Sequence, residues 1–77
     1  MSDQQLNNLI KMINQISVNN QHHDSDHQAA EAVAAHLMKF WARSMKQLII
    51  SHLDEGGEGL LPVSRMAVEL LREKAAA

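Results

Sequence analysis

One stretch of the chain, Ala35 to Pro62 (AHLMKFWARSMKQLIISHLDEGGEGLLP), constrains what the rest can fold into. It holds the only tryptophan (Trp41), the only phenylalanine (Phe40), all three glycines, the only proline and the densest run of apolar side chains. The residues before it read as one amphipathic helix and a polar loop, and those after it as one further helix. A chain of 77 residues has room for a single thin domain, since it buries only about 60% of its unfolded surface. There is no cysteine, which removes disulfides, iron–sulfur clusters, thiolate chemistry and cysteine-based zinc sites. Aromatics are 3% of residues and alanine supplies much of the apolar content, a profile of small helical bundles and not of β-sandwiches or barrels.

Helical periodicity then divides the chain. Leu6, Leu9, Ile10, Ile13 and Ile16 fall on one face of a first helix, with Asn7, Asn8, Lys11, Asn14 and Gln15 opposite. Ser2 or Asp3 is suited to cap its start. VNNQHHDSD, residues 18–26, is a polar loop, and Ser25 or Asp26 suits the cap of a second helix with Ala29, Ala30, Val33, Ala34, Leu37, Phe40 and Trp41 on its inner side. Phe40 and Trp41 are neighbours and point about 100° apart on a helix, so only one of them belongs at the centre of the stripe. Leu37, Trp41, Met45, Ile49 and Leu53 are spaced by four, and Ala42-Arg43-Ser44 has no strong breaker. One long helix to Leu53 and two separate helices are therefore equally compatible with the pattern. Glycines after Asp54 end that segment, and Pro62 suits the first turn of a last helix burying Val63, Met66, Ala67, Leu70 and Leu71. The expected fold is all-α, a single domain of three to four antiparallel helices at about 3–17, 27–41, 44–54 and 62–74, with a loop at 18–26 and a glycine turn at 55–61.

The chemistry-bearing residues form no reactive set. His22, His23, Asp24, Asp26 and His27 have ligand chemistry, but a solvated loop lacks the fixed geometry and supporting bonds that a metal site requires. The GGEG stretch lacks the Lys-Ser/Thr of a phosphate loop and carries Asp54, Glu55 and Glu58, which repel phosphate. Ser51 and His52 are sequence neighbours that diverge on a helix, and no nucleophile–base pair is evident. A net charge of −2 with interleaved acids and bases leaves no footprint for nucleic acid. The longest apolar run, Leu48-Ile49-Ile50, is far short of a membrane span, and Met1-Ser2-Asp3-Gln4-Gln5 is no signal peptide. The expectation is a soluble cytoplasmic chain that binds neither nucleic acid nor membrane. What remains is recognition: Trp41, Arg43 and Met45, with Phe40 beside them, have the composition of a binding hot spot. Trp41 and Arg43 are expected to face outward, and Phe40 and Met45 to help build the core.

Leu9-Ile10, Met12, Asn14-Gln15-Ile16, His36, Lys39-Phe40-Trp41 and Met45, then His52-Leu53-Asp54-Glu55-Gly56-Gly57-Glu58-Gly59-Leu60 and Pro62, occur in that order. In these residues the chain resembles the delta-subunit family of the soluble, NAD-linked, molybdenum-containing formate dehydrogenases. Members often carry a proline just after the Phe-Trp pair, where this chain has Ala42-Arg43; that habit favours a break near residues 42–44. The histidine-rich loop is a departure from the family's more ordinary acidic linker. The resemblance implies an accessory subunit, not an enzyme in itself. Molybdopterin, Fe–S clusters, FMN and NAD would belong to other subunits, and this chain would bind none of them directly. Its partners would be the formate dehydrogenase catalytic subunits, met through Phe40, Trp41, Arg43 and Met45 and through His52, Asp54, Glu55, Gly56, Gly57, Glu58, Gly59 and Pro62. Docking would stabilise the complex or assist insertion of the molybdenum cofactor. The alternative is a self-associating helical module, a homodimer when isolated, with no enzyme partner.

Overall fold

The computed structural model describes residues 2–76, with side chains for residues 4–75. The described residues form four helices and no strand: α1 (Ser2–Asn19), α2 (Asp26–Phe40), α3 (Arg43–Asp54) and α4 (Pro62–Ala76). The cap expected from Ser2 or Asp3 lies outside the described side chains. At α2 the Ser25 Oγ accepts from the Gln28 backbone N–H at 3.1 Å, so serine and not Asp26 closes that helix start. Before it, the polar loop is organised by Asn20, whose Nδ2 donates to the Ile16 carbonyl at 2.8 Å while its Oδ1 lies 3.1 Å from His23 Nε2.

The principal packing is of α2 on α4. Ala29, Ala30 and Ala34 of α2 and Ala67 of α4 are buried, and side chains this small let two helix backbones approach closely. The bulk comes from Leu9, Ile13, Val33, Leu37, Trp41, Ile49, Leu53, Val68 and Leu71, which complete one continuous core with Ala30, Ala34 and Ala67. His27 lies beside Met66 at one end of the α2–α4 pair, and Met38 and Lys39 lie beside Lys74 at the other, so α2 and α4 run in the same direction. On α4 the buried face is turned from the expected one. Ser64 and Val68 are fully buried with Ala67 and Leu71, while Val63, Met66 and Leu70 are only partly covered. The Cα radius of gyration is 11.3 Å, close to the roughly 11–12 Å of a compact chain this long.

Trp41 and Phe40 exchange the positions expected of them. Trp41 is 6% exposed and belongs to the core, whereas Phe40 is 65% exposed. The cause is the helix end. α2 stops at Phe40; Trp41 is its C-cap in extended conformation (φ −85°, ψ 141°), and Ala42 is extended as well (φ −65°, ψ 155°). Leaving the helix at residue 41 removes the indole from the helical wheel and lets it fold back on Leu37 and its neighbours. The break is thus only Trp41 and Ala42 long, and it occurs without the family's proline. Met45 packs partly buried against the same core.

Two stability measurements test this exchange. Trp41→Ala should cost about 3–5 kcal/mol, as expected for a buried aromatic, measured by urea or thermal unfolding. Phe40→Ala should stay within about 0.5 kcal/mol of the parent, as for an exposed side chain. A larger loss from the Phe40 variant would contradict the placement of the two rings.

Candidate interaction surface

The α3–α4 connection, Glu55 to Leu61, is held from three directions. α3 ends with the Gly57 N–H bonded to the His52 carbonyl (2.9 Å) and the Gly56 N–H bonded to the Leu53 carbonyl (3.0 Å). This paired closure puts the residue after the cap at positive φ, and that residue is Gly56, at φ +120°. Gly57 comes next at φ +67°, where a Cβ would stand 3.0 Å from the Arg65 guanidinium. The guanidinium has reason to be so close: its Nη2 donates to the Gly56 carbonyl at 2.9 Å and to the Gly57 carbonyl at 3.2 Å.

The next two carbonyls are taken by other helices. Glu58 O accepts from His52 Nε2 at 2.6 Å; a carbonyl cannot donate, so the imidazole carries its proton on Nε2. Gly59 O accepts from Asn14 Nδ2 at 2.9 Å. Four successive carbonyls are therefore bound by side chains of α4, α3 and α1. Asn14 reaches further with its oxygen, which accepts from the Leu61 N–H (3.1 Å) and from Ser64 Oγ (2.8 Å). Because Ser64 donates to Asn14, the 2.6 Å contact between Ser17 and Ser64 must be a donation from Ser17. Both serines are buried, and no buried side-chain nitrogen or oxygen among the described residues lacks a partner.

The residues expected at a contact surface are thus divided. Phe40 and Arg43 are exposed at the α2–α3 corner, with Lys39 Nζ 5.5 Å from the Phe40 ring centre and His36 stacked obliquely at 4.8 Å. Glu55, Gly56, Glu58, Gly59 and Pro62 are exposed at the turn, and Asp54 is exposed but paired with Arg72. These groups lie at opposite ends of the 12-residue α3, about 18 Å apart along its axis. Trp41 and Gly57 are buried, against the expectation of an outward Trp41, and the half-buried His52 uses its Nε2 on the Glu58 carbonyl. Asn14, Ser17 and Ser64 are absent from the sites expected from sequence. Asn14 belongs by polarity to the solvent face of α1, yet Ile10, Ile13, Asn14 and Ser17 have the same i, i+3, i+4, i+7 spacing as the buried stripe. That spacing is the available signal. Among the described residues no group of three or more His, Cys, Asp or Glu side chains is placed to hold a metal ion.

Against known families, residues 8–68 match the NADH-dependent formate dehydrogenase delta subunit family, FdsD. The chain belongs to this family. The matched span contains Asn14, His52, Arg65 and the whole glycine turn, so the assembly of helices around that turn lies inside the region of delta-subunit likeness. No curated protein and no solved structure matches the chain. No helix among the described residues is long and apolar enough to cross a membrane.

Removing the Asn14 carboxamide leaves the Gly59 carbonyl, the Leu61 N–H and the Ser64 hydroxyl without their partner. Asn14→Ala should destabilise the chain by about 1–3 kcal/mol, seen as a melting point lower by roughly 4–8 °C for each kcal/mol. For the serine pair, a double-mutant cycle is expected to be non-additive. Ser17→Ala with Ser64→Ala should cost less than the sum of the single changes, because replacing both leaves neither hydroxyl of the pair stranded.

Proposed function

We propose that this chain is a non-catalytic delta subunit that docks on the catalytic subunits of an NAD-linked formate dehydrogenase. It there stabilises the complex or assists insertion of the molybdenum cofactor. The family match over residues 8–68 carries this reading. Two features of the chain support a docking role. The turn spends its backbone carbonyls internally and presents the Glu55 and Glu58 side chains outward on a fixed frame. A frame of this kind loses little conformational freedom on binding. Phe40 offers a large exposed ring at the other end of α3, and exposed aromatics are typical anchors of interfaces.

Under this reading the redox groups reside in the partner subunits. The chain has no cysteine to hold an iron–sulfur cluster, and no group of three or more His, Cys, Asp or Glu is gathered among its described residues. Its contribution is mechanical and local: it covers or holds a surface of the larger protein.

A tagged copy expressed in its native cell should co-purify with molybdenum-containing enzyme subunits; recovery without them would count against the proposal. Phe40→Ala, or Glu55→Lys with Glu58→Lys, should weaken that recovery while leaving the melting point of the isolated chain nearly unchanged. Enzyme produced without this chain should show either fewer molybdenum atoms per catalytic subunit or faster subunit dissociation, measured by elemental analysis and gel filtration.

A further inference from the structure

Away from the turn, a second surface has a different chemistry. A trough between α2 and α4 has Ala35, Met38 and Leu70 along it, with Lys39 and Lys74 at its sides. Met38 also borders an adjoining hollow to which α3 contributes Arg43, Lys46 and Ile50. The two hollows share Met38, and together they bring Ala35, Ile50 and Leu70 and the four cations around it. Among the described residues Arg72 pairs with Asp54 and His27 contacts Glu31, and none of these four cations has a carboxylate partner among those residues. Lys46 only reaches the Met38 carbonyl, at 3.4 Å. Glu31 is the one acid lining either hollow among the described residues, and it stands beside His27.

Helix dipoles account for only half of this charge: Lys39 and Lys74 stand in the last turns of α2 and α4, where a cation is favourable, but the other two do not. Arg43 and Lys46 stand at the beginning of α3, whose first turn has no acidic residue; cations there oppose the helix dipole. The geometry points to this surface as the seat of an amphipathic segment of the catalytic subunits, bringing an apolar side chain onto Met38 and carboxylates onto Lys39, Arg43 and Lys74. The identity of the partner rests on the delta-subunit reading; the chemistry of the contact rests on the trough itself. A second copy of the chain is the competing occupant, and self-association of the isolated chain separates the two.

The test uses formate dehydrogenase prepared without this subunit, titrated with the full chain. Lys39→Glu, Arg43→Glu and Lys74→Glu each alter an exposed side chain and should leave the melting point within a few degrees. Each should weaken association about tenfold or more at low ionic strength, with a smaller loss as salt is raised. Met38→Ala should weaken it at all salt concentrations. The pair Gln5→Glu with Gln28→Glu, at exposed positions outside both hollows, changes net charge equally and should bind within about twofold of the parent. If the parent chain binds and the three reversals bind equally well, this surface is wrong and the delta-subunit reading stands. If the parent chain does not bind the enzyme, the reading fails and the surface assignment falls with it. Self-association of the isolated chain that is abolished by the same reversals would assign the trough to a second copy and overturn the proposal.

Discussion

The carboxamide of Asn14 is the one interaction that ties the first helix to both the glycine turn and the last helix. Its nitrogen holds the end of the glycine turn, and its oxygen holds the residue before α4 and the Ser64 hydroxyl within α4. With Ser17 behind Ser64, a directed chain of hydrogen bonds joins the first helix to the last. The two serines are buried and costly to leave unpaired, so an arrangement of α1 on α4 that separates them is disfavoured. That matters in a domain this small, where the apolar core alone leaves a narrow margin.

A second constraint lies at the α2–α3 corner. Two extended residues, Trp41 and Ala42, separate α2 from α3, and the larger of them returns its indole to the core. The corner therefore places the most bulky side chain of the sequence at the helix junction and leaves Phe40 outside. Ala42 makes no side-chain capping bond to α3, so the junction is positioned mainly by the burial of Trp41.

The helices are legible because their periodicity is set by burial: Leu9 and Ile13 on α1, Ala30, Val33 and Leu37 on α2, and Ile49 and Leu53 on α3 all lie in the core as their spacing requires. The exchange of Phe40 and Trp41 is not legible, because a helical wheel applies only while the backbone is helical and the stop falls between these two residues. Asn14, Ser17 and Ser64 escape a pattern reading for another reason. Polar residues are assigned to solvent by default, and only the fold brings together partners 47 and 50 positions apart that make their burial tolerable. The glycine turn is recognisable as a helix stop, but the dependence of its shape on Asn14, His52 and Arg65 is a property of tertiary structure. Family likeness reaches what physical pattern does not, since no spacing or charge in the chain specifies formate dehydrogenase.

The turn has the composition of a hinge and the mechanics of a joint that does not bend. With Gly56, Gly57, Glu58 and Gly59 each held by a side chain from outside the turn's own backbone, α3 and α4 cannot pivot independently without breaking bonds to α1 as well. A load applied at Glu55 or Glu58 is passed through Arg65 and Asn14 into two other helices. A partner that grips the acidic turn therefore holds three helices at once.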